Sequence, residues 1–199
     1  MVMCAIVTRP RILRLLGWTE SLGTPVHLHP STPISGLFSR YHERGRDGSV
    51  FGFGADRGLH LLRLIASGAF ERFPELTLVV GPLGEALPFW INRIDYMHGK
   101  QIATGRYPHM KPLPMKPSEY LRRNVWVTTS GLPWTEDVMY VRQKMGADRV
   151  MYAMDYPHQY EPAEVAEQDA LPISGEEKFE FFEGIATRVF DLDLPPATS

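Results

Sequence analysis

Cysteine is nearly absent from this chain: Cys4 is the only one among 199 residues. A chain with one cysteine forms no internal disulfide, which excludes the small secreted folds that several disulfides hold together. Disulfides are rare in the cytoplasm, where thiols stay reduced. The cysteine count therefore predicts a cytoplasmic protein.

Long apolar runs and a strong charge imbalance are also missing. No stretch approaches the roughly 20 apolar residues that cross a bilayer, and 21 basic against 23 acidic side chains leave a net charge of −2. Nucleic acids and anionic membranes attract proteins with a positive surface, so neither is expected as a partner. Near the start, Arg9, Arg11 and Arg14 interrupt the apolar stretch without a small-residue cleavage site, which argues against a secretory signal.

Short β-branched segments alternate along the chain with longer amphipathic ones. The pattern predicts strands at 2–7, 25–28, 76–80, 125–129 and 150–154. It predicts helices at 12–22, 59–73, 86–97 and 135–145, the last capped by Thr135. A final helix is expected after the capping box of Ser174 and Glu177. The segments 31–56 and 108–117 are predicted loops. Repeated strand–helix units predict an α/β protein with a parallel sheet.

The positions of the polar residues favour one kind of parallel sheet. A doubly wound sheet normally has a glycine-rich phosphate turn after its first strand, and this chain has none. In a (β/α) barrel, reactive side chains gather at the carboxyl ends of the strands. Polar side chains here follow four predicted strands: His29, Glu85, Thr129 with Ser130, and Asp155. The sequence therefore predicts a TIM-type (β/α) barrel. Because four or five units are too few to close eight strands, we expect a partial barrel. It should form one domain over 1–199 with a disordered tail at 193–199.

His29 and Asp155 are the candidate metal-site residues. His29 follows a strand together with His27, which faces the same side because side chains alternate along a strand. Neutral imidazole binds divalent metals, although a pair of polar residues at a strand end needs no metal. Asp155 follows the last predicted strand, where a carboxylate can bind a metal or carry a proton. Aspartate is equally common in turns and helix caps.

Glu85 and Arg93 are the other candidates, and each has two interpretations. Glu85 follows Gly84 and can accept a hydrogen bond from a group beside the site, or serve as the first-turn acid of the next helix. Arg93 can bind a substrate carboxylate through two parallel hydrogen bonds. It can equally form an ion pair with Asp95 or Glu85 on a solvated helix.

Six ordered motifs resemble those of the amidohydrolase-related decarboxylases. They are Pro25-Val26-His27-Leu28-His29-Pro30, the segment 61–74, the segment Gly81-Pro82-Leu83-Gly84-Glu85 with 86–89, Arg93-Ile94-Asp95, Thr129-Ser130-Gly131, and the segment 148–157. The resemblance extends over residues 12–192. The family includes aminocarboxymuconate-semialdehyde decarboxylase and the dihydroxybenzoate (resorcylate-type) decarboxylases.

The resemblance implies a metal-dependent lyase that removes carbon dioxide from a small aromatic or unsaturated carboxylic acid. It implies that His29 and Asp155 bind a divalent cation, zinc or manganese, and that Asp155 helps to protonate the ring carbon. Glu85 matches the glutamate of the family's Gly-His-x-Gly-Glu motif. Arg93 matches a residue that reaches the substrate carboxylate, partly across a dimer interface, so a homo-oligomer is expected.

The chain departs from the family pattern at three places. Pro82 occupies the position of the motif's histidine, and proline can neither bind a metal nor take up a proton. No His-x-His or Glu-x-His pair precedes Pro25, so the resemblance implies that the first βα units are missing and that the chain is N-terminally incomplete. Gly184-Ile185-Ala186 replaces Gly-Asn-Ala. Two metal ligands are fewer than the usual three, so we expect weak metal binding.

Three functions follow from these departures and stay open on sequence grounds. The first is the decarboxylase, and the second is a hydrolase of the same superfamily. The third is a catalytically impaired or non-catalytic partial barrel that associates with another chain, for which an unclosed barrel offers exposed strand edges.

Overall fold

The computed structural model describes residues 9–29, 44–159 and 161–194. Within these ranges, four parallel strands pair in chain order: β1 (Val26–Leu28), β2 (Leu78–Val80), β3 (Val125–Thr128) and β4 (Val150–Met151). The predicted parallel sheet is confirmed. The strand predicted at 2–7 lies outside the described residues, as do residues 31–43 of the predicted loop and 195–199 of the predicted tail.

The described helices cover most of the remaining chain. The α-helices are α1 (Pro10–Ser21), α2 (Gly52–Ala66), α3 (Ala69–Arg72), α4 (Leu87–Thr104), α5 (Pro117–Asn124), α6 (Thr135–Met145), α7 (Pro162–Asp169), α8 (Gly175–Phe179) and α9 (Ile185–Phe190). A 3-10 turn, Ala147–Arg149, precedes β4, and a π-helical turn, Glu180–Gly184, joins α8 to α9. None of these described helices is long and apolar enough to cross a membrane.

The helix predicted at 59–73 is wrong as a single element. It begins earlier, at Gly52, and ends at Ala66. Gly68 follows with φ 74°, in the left-handed region that favours glycine, and separates α2 from α3. The predicted helices at 12–22 and 135–145 are confirmed within two residues, and the one predicted at 86–97 continues to Thr104. Helices α5 and α7 were not predicted.

One of the two predicted helix caps is present. The hydroxyl of Ser174 accepts a hydrogen bond from the backbone N–H of Glu177 at 3.2 Å, and the Glu177 carboxylate accepts from the backbone N–H of Ser174 at 3.0 Å. The cap predicted for Thr135 is wrong, because Trp134 occupies the cap position. The Thr135 hydroxyl instead donates to the Glu167 carboxylate at 2.8 Å, which ties α6 to α7.

Side chains on the two faces of the sheet have different surroundings. Leu78 and Val80 face the helices, in a continuous core with residues of α2 to α6 such as Leu61 and Tyr120. Val79 faces the opposite way, where it packs with Met151 and Ile185. His27 pairs with Val79 in the register, so it lies on this second face. The second face of the sheet therefore carries a small apolar cluster and, toward the carboxyl edge, polar side chains.

Strand β4 is shorter than the predicted 150–154 because the backbone N–H groups that follow it do not pair with strand β3. The backbone N–H of Tyr152 donates to the carbonyl of Phe181 at 2.9 Å. The backbone N–H of Ala153 donates to the hydroxyl of Thr129, and that hydroxyl donates to the Ala153 carbonyl, both at 3.1 Å. Thr129 thus joins the carboxyl ends of β3 and β4 and fixes the segment that leads to Asp155.

Candidate active site

A cavity of about 710 Å³ lies at the carboxyl edge of the sheet. Residues that follow all four strands line it, together with two residues of α2 and the segment before that helix. The lining residues are His27, His29, Ser49, Val50, Phe53, Arg57, Gly81, Pro82, Ser130, Gly131, Asp155, His158 and Gln159. The structure therefore brings the two predicted metal-site residues into one cavity.

Strand β1 delivers two histidines to the cavity. His27 and His29 lie on the same side of the chain because they are two residues apart in an extended segment, and their ring centroids are 6.5 Å apart. Burial lowers the pKa of His27, and the nearby charges of His29 and Arg57 lower it further. The neutral imidazole that this favours is the form that can bind a metal or accept a proton.

Asp155 projects from a tight turn after β4. Its backbone has φ 62°, and its carbonyl accepts hydrogen bonds from the backbone N–H groups of His158 at 2.9 Å and Gln159 at 3.1 Å. The side-chain amide of Gln159 donates to Oδ2 of Asp155 at 2.9 Å. Asp155 is therefore both a turn residue and a cavity residue, and the turn holds its carboxylate in place.

Glu85 lies in a turn between β2 and α4. All four residues of 83–86 have positive φ, from 42° at Leu83 to 75° at Gly84. Helix α4 begins at Leu87 and has no acidic residue in its first turn. The interpretation of Glu85 as a first-turn acid is therefore wrong. The Glu85 side chain is buried and does not line the cavity.

Two glycines of α2 allow Glu85 to come close to that helix. A Cβ atom on Gly54 would lie 2.5 Å from Oε2 of Glu85, and one on Gly58 would lie 2.9 Å from the Glu85 backbone carbonyl oxygen. Both distances are too short for real contacts, so a larger residue at Gly54 would displace the Glu85 carboxylate and one at Gly58 would push the turn away. Helix and turn pack backbone to backbone here.

Arg57 connects Glu85 to the cavity. Its Nη2 pairs with Oε1 of Glu85, and the two side chains are only 12% and 6% exposed. Burial raises the pKa of Glu85 to about 7, although the Arg57 charge opposes the shift. Burial likewise lowers the pKa of Arg57, while the charges of Glu85 and Asp155 act to raise it. The alternative in which Glu85 is hydrogen-bonded beside the site matches this geometry.

The sequence interpretation missed Arg57, although a signal was present. Gly54, Arg57 and Gly58 lie three and four residues apart, on one face of a helix. An arginine between two glycines on one helix face indicates a close approach of another backbone, with the charge directed into the interface. The glycines instead favour the loop predicted for 31–56, and the predicted helix begins only at 59, so Arg57 falls between the two.

Pro82 lines the cavity directly after β2. A side chain at the neighbouring Gly81 is excluded by the next strand, because a Cβ atom there would lie 2.4 Å from Oγ1 of Thr128 and 2.8 Å from Oγ of Ser130. The backbone N–H of Leu83 donates to the Thr128 carbonyl at 2.7 Å. The path of the chain is thus fixed on both sides of Pro82, which presents only a carbon ring and a carbonyl to the site.

Arg93 lies apart from the cavity. It is exposed on α4 and lines a groove of about 360 Å³ with Trp90, Ile94 and Met97. One carboxylate oxygen of Asp95 accepts a hydrogen bond from the backbone N–H of Ser118 at 2.9 Å. Within this chain, the structure does not bring Arg93 together with the other predicted site residues.

The donor set of the cavity is small for a metal ion. Among residues 9–29, 44–159 and 161–194, no group of three or more histidine, cysteine, aspartate or glutamate side chains is placed to hold one. His29 and Asp155 offer one nitrogen and one carboxylate. These donors suit a divalent cation, but a catalytic zinc site usually has three protein ligands.

Comparisons with known proteins give one family. A family model described as amidohydrolase matches residues 6–192. Gamma-resorcylate decarboxylase of Rhizobium sp. (strain MTP-10005) is 30% identical over 195 residues, which cover 92% of this chain and 55% of that protein. The chain spans about half the length of the curated relatives it matches.

Solved structures of related decarboxylases share the fold of this chain. The 5-carboxyvanillate decarboxylase from Novosphingobium aromaticivorans DSM 12444, complexed with manganese and 4-hydroxy-3-methoxy-5-nitrobenzoic acid, has a TM-score of 0.90 and 41% identity. That match covers 94% of this chain and 53% of the other. The dihydroxybenzoic acid decarboxylase from Polaromonas sp. JS666, with manganese and the inhibitor 2-nitroresorcinol, has a TM-score of 0.83 and 26% identity and covers 93% and 55%. The four-stranded sheet is thus part of a (β/α) barrel, as predicted.

Proposed function

This chain belongs to the amidohydrolase family, and from that premise we propose that its cavity binds a small aromatic carboxylic acid and releases the carboxylate as carbon dioxide. The observation that carries the proposal is the shared cavity of His29 and Asp155 at the carboxyl edge of a parallel sheet. Reactive groups of (β/α) barrels lie at this edge. The match at 41% identity to a carboxyvanillate decarboxylase supports the same class of substrate.

His29 and Asp155 would hold a divalent cation in this cavity. Manganese is the first candidate, because two related structures contain it; zinc is the second. When bound, such a cation polarises and orients the oxygen atoms of the substrate. Two protein ligands give a weak and exchangeable site.

Asp155 would also move the proton. The bond between the ring carbon and the carboxylate breaks, carbon dioxide leaves, and the electron pair stays on the ring carbon. A proton delivered through Asp155 then forms the new carbon–hydrogen bond. Gln159, which donates to Oδ2 of Asp155, keeps the carboxylate directed into the cavity. Glu85 acts through Arg57 as a positioning residue, since it pairs with Arg57 and does not line the cavity.

Arg93 would reach substrate only in an assembly of two copies. The outer face of α4 exposes Phe89, Trp90 and Tyr96, by 71%, 54% and 63%. Aromatic side chains and arginine are enriched at protein interfaces. In a twofold dimer built on this face, Arg93 of each copy would extend toward the cavity of the other. We therefore propose a homodimer that uses this face of α4. A cytoplasmic location, from the single cysteine, stays a prediction.

Pro82 favours a second candidate function, a catalytically impaired barrel that binds ligand or another chain. Its ring supplies no acid, base or metal ligand to the cavity wall. A hydrolase of the same superfamily is the third candidate. Incubation with 5-carboxyvanillate or 2,6-dihydroxybenzoate and manganese, and in parallel with the methyl esters and amides of these acids, followed by chromatography, separates the candidates. The decarboxylase forms vanillate or resorcinol and carbon dioxide, the hydrolase cleaves only esters or amides, and the impaired barrel leaves every compound intact.

A further inference from the structure

The cavity wall contains a largely buried cation, Arg57, and only some of its N–H donors have hydrogen-bond partners among the described residues. Arg57 lines the cavity, and its side chain is 12% exposed. Nη2 pairs with Glu85, whereas Nε is buried and has no hydrogen-bond partner in the described part of the chain. A guanidinium has five N–H donors, and a buried donor without a partner is costly. Arg57 therefore has capacity to bind an anion.

Next to Arg57 on the same helix lies an aromatic side chain that can pack against the ring of a ligand. Phe53 precedes Arg57 by four residues on α2, and both line the cavity. Residues four apart lie next to each other on a helix surface. The Phe53 ring can contact the aromatic part of an aromatic carboxylate, and the Arg57 guanidinium can bind its carboxylate group. Arginine binds carboxylates through two parallel hydrogen bonds.

We propose that Arg57 binds the carboxylate of the substrate, with the aromatic ring of the substrate against Phe53. The class of ligand rests on the proposed function, but the interaction itself needs no metal. Glu85 then positions the guanidinium and also competes with the ligand for it. Arg57 differs in this from Arg93, which lies outside the cavity.

Binding to metal-free protein tests this assignment. The probe is 2,6-dihydroxybenzoate, whose single carboxylate is the one that would leave, titrated in EDTA and followed by absorbance, beside its methyl ester, in which that carboxylate is replaced by an uncharged group. Wild type should prefer the acid to the ester. R57Q should bind the acid at least about tenfold more weakly and lose the preference, because charge-assisted hydrogen bonds are removed. R57K should fall between the two. R63Q, which removes an exposed arginine of the same helix, should bind within about twofold of wild type.

E85Q distinguishes a ligand-binding role from a structural one. If Arg57 binds the carboxylate, then E85Q keeps the cation, so it weakens binding of the acid less than R57Q does and keeps the preference for the acid over the ester. If Arg57 only completes an ion pair with Glu85, then E85Q and R57Q have the same effect. Equal losses in these two variants would overturn the proposal. So would R57Q affinity within twofold of wild type, equal weakening of acid and ester, or no binding by wild type.

Two controls keep the outcomes separate. Circular dichroism checks that each variant folds, and the double variant R57Q/E85Q replaces R57Q if the single change leaves Glu85 buried without its partner and the protein unfolded. Arg57-dependent binding without any decarboxylation would contradict the proposed function alone. If wild type decarboxylates substrate but R57Q binds the acid as tightly as wild type, only this inference is contradicted.

Discussion

Glu85 lies behind Arg57: the two side chains pair, and only Arg57 lines the cavity. The pair joins the turn after β2 to helix α2, so the shape of the cavity depends on a contact between elements far apart in sequence. Burial holds Glu85 at a raised pKa despite the adjacent guanidinium. The consequences for stability, packing, metal binding and assembly are open to measurement.

Glu85 should make stability fall as the pH rises. Its pKa is raised from 4.5 to about 7, mainly by burial, so the folded state favours the neutral carboxyl. The stabilising contribution is full below pH 4.5 and is lost as the pH rises through about 7. Relative to E85Q, wild type should lose about 3 kcal/mol of unfolding free energy over this window. Urea denaturation of both proteins from pH 4.5 to 7.5 measures the difference. A constant difference would contradict the buried state of Glu85.

Alanine substitutions at Gly58 and Gly99 should change the free energy of unfolding in opposite directions. Both are helical, but a Cβ atom on Gly58 would lie 2.9 Å from the backbone oxygen of Glu85, and one on Gly99 meets nothing within 4 Å. We expect G58A to lower the unfolding free energy by about 1–3 kcal/mol through overpacking. G99A should raise it by up to about 1 kcal/mol, because alanine is the better helix former. Equal effects would mean that α2 and the turn are not in contact.

Some of this site is visible in the local sequence and some is not. His29 and Asp155 follow short apolar strands, so their places at the sheet edge can be read from neighbouring residues. Arg57 was missed because the three glycines of α2 before His60 are typical of a loop. That first part of the helix is stabilised by the turn at 83–86, a contact that the sequence pattern does not reveal.

Helix and strand ends were predicted less well for the same reason. Thr135 has a cap-forming side chain, but the helix begins one residue earlier than a Thr135 cap requires, and the Thr135 hydroxyl donates a hydrogen bond to Glu167 on α7. The predicted end of β4 was too late because Thr129 and Phe181 take its hydrogen bonds. In both cases, tertiary partners override a preference that is correct locally.

Metal content should be low. His29 and Asp155 supply two ligands, so protein loaded with manganese or zinc should retain less than about one equivalent after gel filtration. Elemental analysis measures it, with D155N as the comparison, which should retain still less. Stoichiometric metal that resists EDTA would contradict a two-ligand site.

The face of α4 should control assembly. Light scattering after gel filtration is expected to give a dimer for wild type and a monomer for W90R, because a charge would enter the apolar interface. W18R is the matched control, since Trp18 is 65% exposed on α1, and it should stay dimeric. A monomeric wild type, or equal behaviour of the two variants, would rule out this interface.

The most direct test of the account is the rate of carbon dioxide release from 5-carboxyvanillate at saturating manganese. The comparison is wild type against D155N and D169N, the latter removing a carboxylate whose side chain is 74% exposed and does not line the cavity. We predict measurable release by wild type, a loss of about 100-fold or more in D155N, and a rate within twofold in D169N. Turnover that survives in D155N, or no turnover by wild type, would contradict a decarboxylase that works through Asp155.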